Sequence, residues 1–124
     1  MYIKLNYKGR KNMFIEYLES KISENSLEAE NLEKNYRHDD AVFVKIKSNV
    51  YDVCKTVFGV FKKTKPQDDL YNEYINKLDE FEKIWSSSAE NAKKFGDSKK
   101  IAAEEAKLFV LAEIKKKFIE TRGE

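Results

Sequence analysis

Between Asp39 and Pro66 the chain carries more apolar side chains than one face of a helix can hold. Phe43, Ile46, Val50, Val53, Val57 and Val60 recur at alternating steps of three and four, the spacing that aligns residues along one helical seam. Val44, Tyr51, Cys54, Phe58 and Phe61 run as a second seam beside the first, broken by Lys47. A helix with so broad an apolar arc has to be covered from more than one side, which points to an all-α bundle. β-Branched residues and local alternation in AVFVKIKS also fit a strand. The seam continuing to Val60 favours the helix, Lys62, Lys63 and Lys65 suit its C-terminal end, and Pro66 stops it.

Three further helices follow from the same periodicity. From about Asn12 to Arg37, the residues Ile15, Leu18, Ile22, Ala29, Leu32 and Tyr36 share a heptad seam interrupted at Asn25. Asn25 and Glu28 resemble a capping box that could restart the helix, but the pattern predicts one long helix with a weak middle. Asn35, Arg37 and His38 form the connection, with Asp39 or Asp40 as the next N-cap. After Pro66, the acids Asp68 and Asp69 open a helix whose seam is Tyr71, Tyr74, Leu78, Phe81, Trp85, Ala92 and Phe95. The serines Ser86 to Ser88 could bend it, because their side chains compete for backbone hydrogen bonds. Gly96 suits the position just past its end.

The fourth helix is predicted from about Lys99 to Thr121, capped by Asp97 or Ser98. Its middle, Leu108 to Ala112, is apolar all round, and the terminal Thr121-Arg122-Gly123-Glu124 is expected to fray. Four helices of ~25 residues would each be ~37 Å long. Joined by short connections they must alternate in direction, as an antiparallel up-down-up-down four-helix bundle.

The length of 124 residues suits one domain, with 13–124 as the helical bundle. Residues 1–12 stand apart from the pattern. Met13 starts the helical periodicity abruptly, and the codons of the upstream Gly9-Arg10 pair can spell a purine-rich ribosome-binding sequence. These residues are expected to be either a mis-annotated leader ahead of a true start at Met13 or an N-terminal arm with a short strand, YIKLNY. Four Gly and one Pro leave little turn chemistry, which fits few long elements.

Charged residues make up 37% of the chain, yet they nearly cancel to +2. A protein whose main task is gripping nucleic acid or anionic lipid needs a one-sided basic field. A lone cysteine, Cys54, excludes an internal disulfide and fits a reducing compartment. No apolar run approaches the ~18 residues of a membrane-spanning helix, so a soluble, cytoplasmic protein is expected. Richness in Lys, Asn, Ile, Tyr and Glu fits an AT-rich bacterial genome.

Candidate chemistry is sparse. His38 is the single histidine, and the residue three before it is Asn35, so the Glu-x-x-His pattern of dimetal bundles is missing. One Cys and one His sixteen positions apart do not make a zinc site. Cys54, mid-helix among Val and Phe, lacks the adjacent base that a nucleophilic thiol requires. The acidic pairs Asp39-Asp40 and Asp68-Asp69 precede helices that start at opposite ends of an up-down bundle, so they cannot share a site. No catalytic residue, metal or cofactor is expected. The architecture resembles that of small four-helix nucleases of toxin pairs, which carry an Arg followed four to six residues later by a His. No His follows Arg10, Arg37 or Arg122 at that distance, so the resemblance ends at the architecture.

The expectation that remains is a non-enzymatic protein-protein interaction module, of a regulatory, adaptor or mobile-element accessory kind, forming a homodimer or binding another protein. The broad arc of the second helix nominates Val44, Tyr51, Phe58 and Phe61 for contact, and the apolar girdle of the fourth nominates Phe109 and Val110. The alternative is a nucleic-acid-associated protein using the Lys-rich C-terminal helix, around Lys115, Lys116 and Lys117. A third reading is a carrier holding an apolar ligand between the second and third helices.

Overall fold

The computed structural model describes residues 12–124, which form α1 (Met13–Lys34), α2 (His38–Thr64), α3 (Gln67–Lys94) and α4 (Ser98–Thr121), with no strand among the described residues. The expectations for an arm or leader fall on residues 1–12, of which all but Asn12 lie outside this range. The AVFVKIKS stretch is helical, α1 runs through Asn25 without a break, and α3 runs through Ser86 to Ser88.

Ends are fixed locally. Asn12 caps α1, its Oδ1 accepting from the Ile15 amide at 2.9 Å. Asp97 caps α4 in the same way through the Lys100 amide. At α2 the expected Asp cap is displaced: Arg37 occupies the cap position without a side-chain cap bond, and Asp39 and Asp40 lie in the first turn. There their charge still faces the unpaired amides, and Asp40 is held by Arg37 at 2.7 Å.

Three helix ends share one closing pattern. The Arg37 amide donates to the Leu32 carbonyl, that of Asp97 to Ala92, and that of Gly123 to Phe118. Each places the preceding residue in the left-handed region: Gly96 at φ 64°, but also Tyr36 at 60° and Arg122 at 54°.

Ion pairs give the directions. Glu33 late in α1 meets Lys45 early in α2, whereas Glu19 early in α1 meets Lys55 further along, so the two helices are antiparallel. In α3 and α4, Asp79 pairs with Lys115 while Lys107 lies over the Trp85 ring, again in reversed order. The helices thus form two hairpins, α1/α2 and α3/α4. They join chiefly where α2 meets α4; the backbones of both of these helices approach all three others, whereas α1 and α3 meet through side chains such as Phe14 and Tyr74.

The core is uneven. At the end where α1 begins and α4 ends, Phe14, Phe58, Tyr74 and Phe118 form an aromatic cluster, with Phe14 edge-on to Phe58 at 5.2 Å. The Tyr74 hydroxyl donates to the Cys54 carbonyl at 2.7 Å inside this cluster. Aromatic side chains of this size each bury on the order of 150–250 Å², so this half carries most of the apolar burial. Towards the other end, which holds the α1–α2 and α3–α4 loops, the buried apolar positions shrink to Ala29, Ala41, Val44, Ala89 and Ala92, and the Glu104 carboxylate, paired with Lys107, is buried there too.

The C-terminal residues do not fray as expected. Thr121 is buried, and the Phe14 amide donates to the Glu124 carbonyl at 2.7 Å, so the last residues close over the start of α1.

Candidate contact surface on α2

Of the six residues nominated from sequence, Val44, Tyr51, Phe58 and Val110 are buried. A partner meeting this fold does not touch them. Phe61 is half-buried, edge-on to Tyr74. Phe109 is 66% exposed on the outward side of α4. The second seam of α2, with its aromatics, is therefore the internal one. Its Tyr51, Cys54 and Phe58 join Val110, Leu111, Ile114 and Phe118 of α4 in the core.

What stays outside is Val42 together with the edge of the first seam. Val42, Val53 and Val60 are 52%, 42% and 51% exposed, with Ile46 and Val57 half-buried between them. Steps of four, seven, four and three keep these five residues on one helical face. Asn49 and Thr56 complete the periodicity. α1 covers the flank of α2 that carries Ala41, Lys45 and Lys55, and α3 and α4 cover the flank of Tyr51 and Phe58. The valine stripe lies on the remaining side.

At the loop end the stripe opens into a cleft of about 570 Å³ between the first turns of α2 and α4. Val42, Phe43, Ile46 and Ala103 give it an apolar floor, and Asp39, Lys99 and Lys100 line it with both signs of charge. No ion pair engages Asp39, Lys99 or Lys100 among the described residues. The two loops at this end carry the exposed rings of Tyr36, 86% accessible, and Phe95. Neither the stripe nor the cleft was nominated from sequence. The signal present there was the first seam, with Ile46, Val53, Val57 and Val60, lying next to one richer in aromatics.

Other candidate groups have local roles. Burial pushes the Cys54 thiol up to about 12, far from the thiolate a nucleophile needs. His38, the first residue of α2, is exposed and within 2.7 Å of Glu33, whose carboxyl it holds below its ordinary range. In the C-terminal basic run, Lys115 is paired with Asp79, which raises its ammonium pKa, and Lys117 lies over the Tyr17 ring at 5.5 Å. No group of three or more metal-ligating side chains comes together among the described residues, and no helix there is long and apolar enough to cross a membrane. Comparison of the chain with family models, curated proteins and solved structures gives no match.

Proposed function

We propose that this protein works by protein contact through the valine stripe of α2 and the cleft at its loop end, as a small regulatory or adaptor module in a reducing, cytoplasmic setting. The observation that carries the reading is the run of Val42, Val53 and Val60 along one exposed face, continuous with an apolar cleft rimmed by unpaired charge. Scattered exposed valines are ordinary, whereas apolar positions aligned along one helix face, here with Asn49 and Thr56 among them, are the kind of surface that partners cover.

The test is p-benzoylphenylalanine in place of Val53, photoactivated in the cell, with exposed Glu113, in the groove between α1 and α4, as control. A protein adduct at position 53 that is much stronger than at 113 is the expected result. Equal or no adduct at both positions overturns the reading, and a nucleic-acid adduct moves the assignment to the nucleic-acid alternative.

A further inference from the structure

We propose that the loop end of the bundle rests on an anionic lipid surface, with the rings of Phe95 and Tyr36 entering the interface beside lysines that meet the headgroups. This goes beyond protein contact on the stripe and does not depend on it. Among the described residues, Tyr36 and Phe95 are the two most exposed large apolar side chains, at 86% and 79%. Both stand at the same end, Tyr36 in the connection between α1 and α2 and Phe95 at the close of α3. Neither ring contributes to the core, and the ring nearest to Tyr36, that of His38, is itself exposed. Tyr36 also holds a left-handed backbone at φ 60°, which a bulky residue adopts only at a cost. Strain of this kind is kept where a site has a use for the side chain.

The charge around Phe95 is one-sided. From Lys93 to Lys100 the chain reads KKFGDSKK, where four lysines against one aspartate leave three net positive charges, more than the +2 of the whole chain. Lys94, Lys99 and Lys100 have no ion-pair partner among the described residues, and Lys93 meets only the exposed Glu90. Of the nearby acids, Asp97 caps α4, Asp40 is held by Arg37, and Glu33 by His38 and Lys45, which leaves Asp39 against three free lysines. Lysines beside a negative leaflet draw a protein in over a range of about 10 Å, and aromatic rings hold it at headgroup depth. Two convex loop tips can reach a flat, yielding surface together. A nucleic-acid strand needs a continuous basic groove with stacking rings along it, whereas the cleft at this end has a floor of Val42, Phe43, Ile46 and Ala103. In this pose the bundle stands on end, and the valine stripe runs away from the lipid, open to a partner.

The test is flotation of the full chain with vesicles of phosphatidylcholine, alone or with about one third phosphatidylserine, at low and high salt. Binding is expected with phosphatidylserine and should fall about tenfold or more at high salt. Phe95→Ser with Tyr36→Ser, and separately Lys94→Glu with Lys99→Glu, should each lower the partition coefficient about tenfold. Phe109→Ser with Lys116→Glu, the same kinds of change on the outward side of α4, should leave it unaltered. Each of these positions is exposed, so the variants are expected to fold, which circular dichroism checks. Ring insertion is read by Phe95→Trp, whose fluorescence should be quenched by bromine-labelled lipid beyond the signal of native Trp85 in the unaltered chain. Failure to float with phosphatidylserine vesicles overturns the proposal, as do equal losses in the Phe109 control and quenching of Phe95→Trp no greater than in the unaltered chain. Retention on a single-stranded oligonucleotide but not on vesicles, lost in the Phe95 variant, overturns it in favour of nucleic acid at this end.

Discussion

The side-chain amide of Asn12 fastens the start of α1 to the end of the chain: its nitrogen donates to the Gly123 carbonyl at 2.7 Å while its oxygen accepts from the Ile15 amide. One residue thus serves as helix cap and as a tie across 111 positions of sequence. The adjacent bond from Phe14 to Glu124 satisfies another of the free amides in the first turn.

Replacing Asn12 with Ala should cost about 1–3 kcal/mol, the sum of a lost cap and a lost hydrogen bond. Asn12→Asp keeps the capping acceptor and loses only the donor, so it should cost less. Gly123→Ala should cost a similar amount to Asn12→Ala, since Gly123 sits at φ 77° and a Cβ there would stand 2.7 Å from the Phe118 ring. Urea midpoints at unchanged slope report all three.

Phe58 and Phe109 should part company on truncation. Phe58→Ala empties the centre of the aromatic cluster and should cost about 3–5 kcal/mol. Phe109→Ala removes an exposed ring and should stay within about 0.5 kcal/mol. Equal effects in denaturant unfolding would contradict the burial assigned to α2 and α4.

The two loops at the cleft end invite opposite substitutions. Tyr36 holds a left-handed conformation that suits Gly, so Tyr36→Gly should stabilise by up to about 1 kcal/mol in a thermal melt. Gly96→Ala, in the same conformation, should destabilise by about 1 kcal/mol.

Alkali should loosen the fold. Burial is the leading cause that raises Cys54 from 9.0 to about 12 and also raises Tyr17, Tyr51 and Tyr74 above their ordinary 10.0. Each is raised relative to the unfolded chain, so its contribution is complete below the ordinary value and is lost as pH climbs towards the folded one. Lys115, raised chiefly by its bond to Asp79, follows the same sign above 10.5. The urea midpoint should therefore fall between about pH 8 and about pH 11. Tyr74→Phe should blunt that fall.

Element existence was legible from periodicity alone, because each helix repeats its apolar residues at three and four over more than twenty positions. The heptad through Asn25 and the seam through Ser86 to Ser88 outweighed local breakers, as cooperative helices do. Which side of α2 would be inside was not legible. Both seams are regular, and the choice between them depends on where α4 docks, a long-range contact that spacing does not encode. Residue size held a clue: Tyr51, Phe58 and Phe61 bring more apolar area to an interior than valines do. The Arg37 cap and the closure by Gly123 and Glu124 were hidden for a related reason, since each depends on residues brought together only by the finished turn or bundle.

The change from ring-filled to alanine-filled core makes the bundle a clamp with a rigid heel and a compliant jaw. Interlocked rings resist sliding of one helix past another, whereas alanine contacts let helices shift at little cost in lost area. The cleft and the first valine of the stripe lie in the jaw, and the aromatic cluster lies in the heel. The proposed contact surface can thus yield by small movements at one end while the other keeps the chain in register.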